Sequence, residues 1–457
     1  MALPVSPSLT TGVQILLPEA RFIWMRLPAR LPGSGLWWLL TSLLMAAACG
    51  RRPPVMLTLV GLGPDAGEQL KRDGLDDFTR TSGIGVDLIP AWGTSAEQLS
   101  QTSRLLSQRS SPPDVYVIDV IWPGTLGSDL LDLTPYADGA ARAHLPALLQ
   151  NNTVGGRLVA LPFYVNVGML YYRTDLLKKY GYQKPPATWD ELEGMSARIQ
   201  QGERAAGNPD FWGYVWQGGA YEGLTCDALE WQRSFGGGSI IETDGTISVN
   251  NPAAVQALRK AGGWVGTISP RGVLSYTESD SLGVFRAGNA AFLRHWSGAL
   301  SASRSGDLPI RGRFDVTLLP AGPHGRAQAM GGFQLAVSRH SAHPQESAQL
   351  VLYLTGGEVQ LRRAIRAGYL PTIPRLYENP ELRQALPIGA DLRNAGEDAW
   401  VVRPSTVAGN QYRAVSKAYY QAVHNILSLR TGPADGLSEL EKTLIQITGS
   451  RTGPPPN

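Results

Sequence analysis

The stretch Leu161–Arg173, LPFYVNVGMLYYR, combines groups that could grip a ligand rather than transform one. Phe163, Tyr164, Tyr171 and Tyr172 surround a single amide, Asn166, while Pro162 and Gly168 sit where the backbone can bend. Aromatic faces beside a polar side chain suit a molecule with flat apolar faces and polar edges, which is the shape of a sugar. The same composition also suits an ordinary core strand, because β-branched and aromatic residues favour strands anyway.

Asp119 lies in the apolar run DVYVIDVIWP (114–123), three residues before Trp122. In open α/β sheets ligands bind beyond the carboxyl ends of strands, so Asp119 reads as a hydrogen-bonding carboxylate beside a stacking face, or as the cap of the following turn. In residues 211–231, FWGYVWQGGAYEGLTCDALEW, Gly218 and Gly219 break a strand and Glu222 or Asp227 opens a helix. A loop at such a helix start can present Tyr221 and Glu222 to a cleft.

Other chemistries find little support. His340 and His343 precede Pro344 in a polar turn with no further ligands clustered nearby, so no metal is expected. Residues 61–67 resemble a dinucleotide fingerprint, but the third glycine comes one residue late and Pro64 intrudes where amides should face a pyrophosphate. No cofactor is expected. The two cysteines are Cys49 and Cys226, and Cys226 reads as a small buried hydrophobe.

The elements that must position these groups follow from length and pattern. A chain of 457 residues predicts two or three domains, and 43% hydrophobic with 17% charged residues describes a soluble globular protein. A net charge of +3 without a basic stripe argues against nucleic acid as a partner. Strands at 56–60, 85–89 and 114–123 alternate with helices carrying Leu70, Leu75 and Phe78 and then 98–106, which predicts an α/β lobe with a mostly parallel sheet. Thr188 and Glu191 form a capping-box pattern before a helix whose apolar face is Trp189, Leu192, Met195 and Ile199. Residues 411–429 read as a long amphipathic helix whose stripe of Val415, Tyr419, Val423 and Ile426 belongs to a core.

The N-terminus reads as an export signal. Arg26 and Arg30 precede the apolar run 36–47, and Ala46, Ala47 and Ala48 lead into Cys49. This resembles a bacterial lipoprotein signal, with Cys49 lipidated after cleavage and Met25 a plausible true start.

The sequence resembles the family 1 extracellular solute-binding proteins of ABC importers, the maltose-binding group, and within it the trehalose/maltose-binding proteins. The resemblance rests on residues 114–122, 161–192 and 211–231, on FRAGNAAFLRHW (285–296), on GGFQLAVSRHSAHP (331–344) and on VVRPST (401–406), in the family's order. It implies two α/β lobes of the type II periplasmic-binding-protein fold, joined by three hinge crossings near 162–168, 292–297 and 331–335, with the ligand between them. The implied organisation is a signal peptide over 1–49, an N-terminal lobe of 50–163 plus 297–331, a C-terminal lobe of 168–292 plus 335–450, and a disordered tail at 451–457.

Carried over by position, Asp119, Tyr164, Asn166, Trp296, Gly332, Phe333 and Arg403 would line the sugar site, joined by Glu68, Tyr221 and Glu222. Tyr164, Trp296 and Phe333 would stack on sugar rings, and Asp119, Asn166 and Arg403 would take hydroxyls. Asn166 replaces the pattern's Asp and Phe333 replaces its Trp, which removes a charged acceptor and an indole N–H. The implied protein is a monomeric, exported receptor, lipid-anchored at the periplasmic or extracellular face, that captures a disaccharide and delivers it to the transmembrane subunits of an ABC permease. Trp296 could instead be core, and Arg403 could serve as an ion pair holding a lobe together. The alternatives at the level of function are a secreted glycoside hydrolase, which needs two carboxylates astride a glycosidic bond, and a receptor for a longer oligosaccharide.

Overall fold

The computed structural model describes residues 55–91, 95–137, 139–304, 307–386, 388–389, 392 and 399–456. The expected export signal, including Met25 and Cys49, lies outside the described residues.

Strand β1 (Met56–Leu62) buries Leu57, Leu59 and Val60. Helix α1 (Pro64–Leu70) continues through a π-helical turn, Lys71–Leu75, into α2 (Asp76–Ser82), and Leu70, Leu75 and Phe78 form the buried stripe expected of them. Strand β2 (Gly85–Pro90), helix α3 (Ser95–Ser107) and strand β3 (Val115–Asp119) follow. β3 is shorter than the predicted run 114–123. Its end is a turn in which Asp119 Oδ1 accepts the Ile121 N–H at 3.3 Å, after which Pro123 opens a short helix.

The 13-residue strand β4 (Leu161–Arg173) comes next, then α4 (Trp189–Ala205), β5 (Trp212–Val215), α5 (Glu222–Ser234) and α6 (Pro252–Trp264). Thr188 caps α4 by accepting the Glu191 N–H at 3.2 Å, and the Glu191 carboxylate reaches back to the Ala187 N–H at 2.6 Å. Of the two candidates for opening α5, Glu222 does so. Asp227 lies wholly buried inside the helix. Next are α7 (Glu278–Arg286), β6 (Ala290–Trp296), β7 (Phe314–Leu318), β8 (Gln328–Val337), α8 (Pro344–Thr355), α9 (Gly357–Ala367), β9 (Trp400–Val401), α10 (Tyr412–Leu427) and α11 (Pro433–Thr448). Val415, Tyr419, Val423 and Ile426 of α10 are buried, as their spacing predicts.

One sheet runs in the order β2-β1-β3-β8-β4-β6-β5, with β9 added on β8 and β7 on β4. The three strands from which a parallel arrangement was predicted, β1 to β3, are parallel, while the sheet as a whole is mixed. β1 is parallel to β2 and β3, and β5 to β6, but β8 and β4 run antiparallel to their neighbours in this order. The cause is that β4 and β8 are shared: Leu161–Val167 of β4 pairs with β8, whereas Gly168–Arg173 pairs with β6 and β7.

Pairing and packing connect three of the expected segments as follows. Within 297–331, expected in the N-terminal lobe, β7 pairs with Met169–Arg173, in the part of β4 assigned to the C-terminal lobe. Within 335–450, expected in the C-terminal lobe, Leu335, Val337 and the buried face of α8 share a core with Leu57, Leu59 and Val115. The reason is that after Trp296 the chain turns back to add β7, and β8 makes the return passage. Of the tail at 451–457, expected to be disordered, Arg451 and Gly453 are hydrogen-bonded to the body of the fold: the Ile247 N–H donates to Arg451 O at 2.8 Å and the Gly453 N–H to Ile247 O at 3.1 Å.

Candidate ligand-binding site

Directly opposed residues on neighbouring strands point to the same face, as do residues two apart on one strand. Phe333 on β8 opposes Asp119 on β3 and Tyr164 on β4; Gly331 opposes Asn166; Gly168 opposes Trp296 on β6. Asp119, Phe333, Tyr164, Asn166 and Trp296 therefore form one row across four strands. All five are half-buried, while Phe163, Val165 and Val167, pointing the other way from β4, are in the core.

Two glycines let this row close up. At Gly332 φ is +115° and a Cβ would lie 2.3 Å from Tyr164 O, so only glycine fits between the strands. At Gly331 a Cβ would come within 3.1 Å of the Trp296 ring, so the bare backbone lets the indole lie over β8. The rings of Phe333 and Tyr164 are 5.4 Å apart between centroids.

Charge is arranged around the row. Arg403, buried beyond β9, donates from Nη1 to Glu222 Oε1 at 2.9 Å, and its Nη2 lies 3.9 Å from Asp119 Oδ1. Glu222 also accepts from the Tyr412 hydroxyl and the Ser416 hydroxyl, each at 2.5 Å. Burial pushes the Asp119 carboxyl above its usual range, and the Arg403 charge pulls partly back. Asp119 thus caps the turn, one of the two roles its position suggested, and it also faces the Arg403 cation. Asn166 is held by the Ser297 hydroxyl, which donates to its Oδ1 at 3.2 Å.

Trp296 is fixed from two sides. Its Nε1 donates to Glu278 Oε1 at 3.2 Å, and the Arg294 guanidinium lies 4.3 Å from its ring centroid. Arg294 is in turn held by Asp227 at 2.9 Å and Glu230 at 2.6 Å, all three fully buried. Burial raises both carboxyls above their usual range, with the Arg294 charge opposing. Glu278 was not among the residues singled out in the sequence. It also accepts the Tyr221 hydroxyl at 2.6 Å, so it joins Tyr221 to Trp296. Glu68, also expected at the site, is exposed on α1 and pairs with Lys71 at 2.7 Å.

Cys226 is buried, and burial pushes its thiol up, as befits an inert packing residue. Among the described residues no group of three or more His, Cys, Asp or Glu side chains could hold a metal, and no helix is long and apolar enough to cross a membrane. A cavity of about 420 Å³ touches Arg403 from the side of Asn151, Arg233 and Trp400. None of the five residues of the row lines it.

Residues 61–361 match the family described as bacterial extracellular solute-binding protein. The chain is 46% identical over 405 residues to a probable ABC transporter-binding protein of Deinococcus radiodurans, covering 88% of this chain and 96% of the relative. The solved structure of maltose-bound MalE3 from T. maritima is 35% identical, with a TM-score of 0.77, over 86% of this chain and all of that one. The GacH receptor of Streptomyces glaucescens, at 20% identity and a TM-score of 0.73 over 88% of this chain, shares the fold. The expected fold class, a mixed α/β structure of two lobes, is the one these structures have. With the match running from β1 into α9, this chain belongs to the bacterial extracellular solute-binding protein family.

Proposed function

We propose that this protein is the receptor of an ABC sugar importer and captures a disaccharide of the trehalose or maltose type. The observation that carries the reading is the single row of Asp119, Phe333, Tyr164, Asn166 and Trp296, in which half-buried aromatic rings lie beside hydrogen-bonding groups. The names of the relatives support it: one is a transporter-binding protein and another was solved with maltose bound.

In this reading one lobe is built on β1–β3 with α8 and the other on β5–β7 with α5, α6 and α10, and β4 and β8 run between them. Sugar held on the row draws the lobes together because the closed form makes more contacts to it, and a ligand shifts such an equilibrium only by its differential affinity for the two states. Arg403 is placed to take part from the second lobe, since it reaches both Glu222 on α5 and Asp119 on β3. The closed form, lipid-anchored through Cys49 and monomeric, would be the one the permease recognises. Micromolar affinity, about −8 kcal/mol, suits capture followed by release.

A calorimetric panel of glucose, maltose, trehalose and longer oligosaccharides tests this reading, with saturable disaccharide binding expected. A flat response to the whole panel would overturn it. Of the carboxylates a hydrolase could use, Asp119 and Glu222 are both engaged by the Arg403 guanidinium, and Asp227 is buried against Arg294, which supports a binding or structural role for each. Incubation with maltose or trehalose should accordingly release no glucose.

A further inference from the structure

We propose that Tyr369 is a third stacking ring of the sugar site, extending the aromatic surface formed by Phe333 and Tyr164. The inference rests on the sugar-receptor reading above and adds a contact residue to it.

The placement follows from backbone pairing. Leu370 forms an antiparallel bridge with Val165 of β4, in which the Val165 N–H donates to Leu370 O at 3.1 Å. Val165 and Leu370 both point into the core, at 3% and 1% exposure. Side chains alternate along extended chain, so Tyr369 falls on the other face, the one carrying Tyr164 and Asn166. Its ring centroid is 4.6 Å from that of Tyr164, closer than the 5.4 Å between Tyr164 and Phe333. The residue is half-buried, as Tyr164 and Phe333 are.

Two of these rings, Tyr164 and Tyr369, are also held from behind, together with the core ring of Phe163. The buried Arg363 guanidinium lies 3.7 Å from the Phe163 centroid, 4.5 Å from that of Tyr369 and 5.3 Å from that of Tyr164. A cation shared by Tyr164 and Tyr369 fixes those two rings before any ligand arrives, which lowers the ordering penalty of binding, and Phe333 packs on Tyr164 in turn. Phe333, Tyr164 and Tyr369 thus make a continuous tilted surface, with interplanar angles of 37° and 52°. A ligand of two linked pyranose rings can cover such a surface, whereas a single ring leaves part of it wet.

The test is calorimetry of the full-length protein and two variants with maltose and trehalose. Tyr369→Leu, which keeps apolar bulk but removes the aromatic face, is expected to weaken binding about tenfold. Tyr369→Phe is expected to recover most of that loss, because the face rather than the hydroxyl does the stacking. Parent protein that binds while Tyr369→Leu binds within twofold of it overturns the ring assignment alone. Parent protein that binds neither sugar overturns the receptor reading and the ring assignment with it. Should the leucine variant fold poorly, Tyr369→Trp decides: saturating sugar must shift its emission relative to the parent, and identical difference spectra overturn the assignment.

Discussion

Arg403 donates to Glu222 across 181 residues of sequence, at 2.9 Å, with only 5% of the arginine side chain exposed. The same guanidinium is the cation nearest Asp119. Removing one partner of a buried ion pair strands the other, so Arg403→Met is expected to destabilise folding by about 3–5 kcal/mol. Arg403→Met combined with Glu222→Gln should recover part of this, because the stranded carboxylate is gone. Urea unfolding of the parent, the single variant and the double variant measures both effects; equal losses in the two variants would show that Glu222 is not the stranded partner.

The raised pKa of Asp119 fixes the sign of two pH effects. The folded chain holds this proton more tightly than the unfolded chain, whose value is 3.8, so the stabilising contribution is full below 3.8 and is lost as pH rises through the folded value. Sugar binding runs the other way, since a sugar hydroxyl needs the ionised carboxylate as acceptor. Affinity is therefore expected to fall on acidification from neutral pH, with a midpoint above 3.8. Asp119→Asn should flatten that profile and weaken binding at neutral pH by about 1–3 kcal/mol. Calorimetry at a series of pH values reads both, and an unchanged profile in the asparagine variant would remove Asp119 from the site.

Gly332 and Gly83 offer a controlled comparison. Both have positive φ, +115° and +76°, but a Cβ at Gly332 would meet Tyr164 O at 2.3 Å whereas at Gly83 nothing lies within 4 Å. Gly83→Ala should show conformational strain alone, about 1 kcal/mol. Gly332→Ala must also part β8 from β4, and about 2–5 kcal/mol is expected, together with loss of sugar binding as Tyr164 and Asn166 shift. Thermal melts set beside calorimetry separate the two substitutions.

The local rules carried much of the fold. The apolar and aromatic run of β4, the Thr188 cap and the stripe of α10 are written in consecutive or helically spaced residues, and each forms as expected. Register is not written locally. That Phe333 opposes both Asp119 and Tyr164 depends on three strands from distant parts of the chain meeting in a sheet. The lobe ranges came from the resemblance and had no local check, because hydrophobic patterning identifies a strand or helix without naming the sheet or core it joins. It was the family resemblance that drew the row's members from distant segments together, and it added Glu68, which is exposed and ion-paired with Lys71. Glu278 escaped notice because its partners, Tyr221 and Trp296, lie 57 and 18 residues away, and its local setting is only the first residue of a helix capped by Thr277 and Asp280.

Glu278 is where the aromatic side of the site is most open to test. Its two oxygens accept from different donors, the Tyr221 hydroxyl at 2.6 Å and the Trp296 indole N–H at 3.2 Å, so a carboxylate is needed to hold both. A Gln side chain has one carbonyl oxygen, and its amide nitrogen would face a second donor. Glu278→Gln is therefore expected to release one of the two rings while leaving the helix in place, since its cap is made by Thr277 and Asp280. If Trp296 stacks on sugar, freeing its indole should weaken disaccharide binding about tenfold and reduce the tryptophan-fluorescence change on binding. The thermal midpoint should fall by far less than in Arg403→Met, because Glu278 is half-buried rather than locked between buried charges. A variant with parental affinity and an undiminished fluorescence change would mean that the orientation of Trp296 does not depend on Glu278, and that Arg294 beneath the ring suffices to hold it.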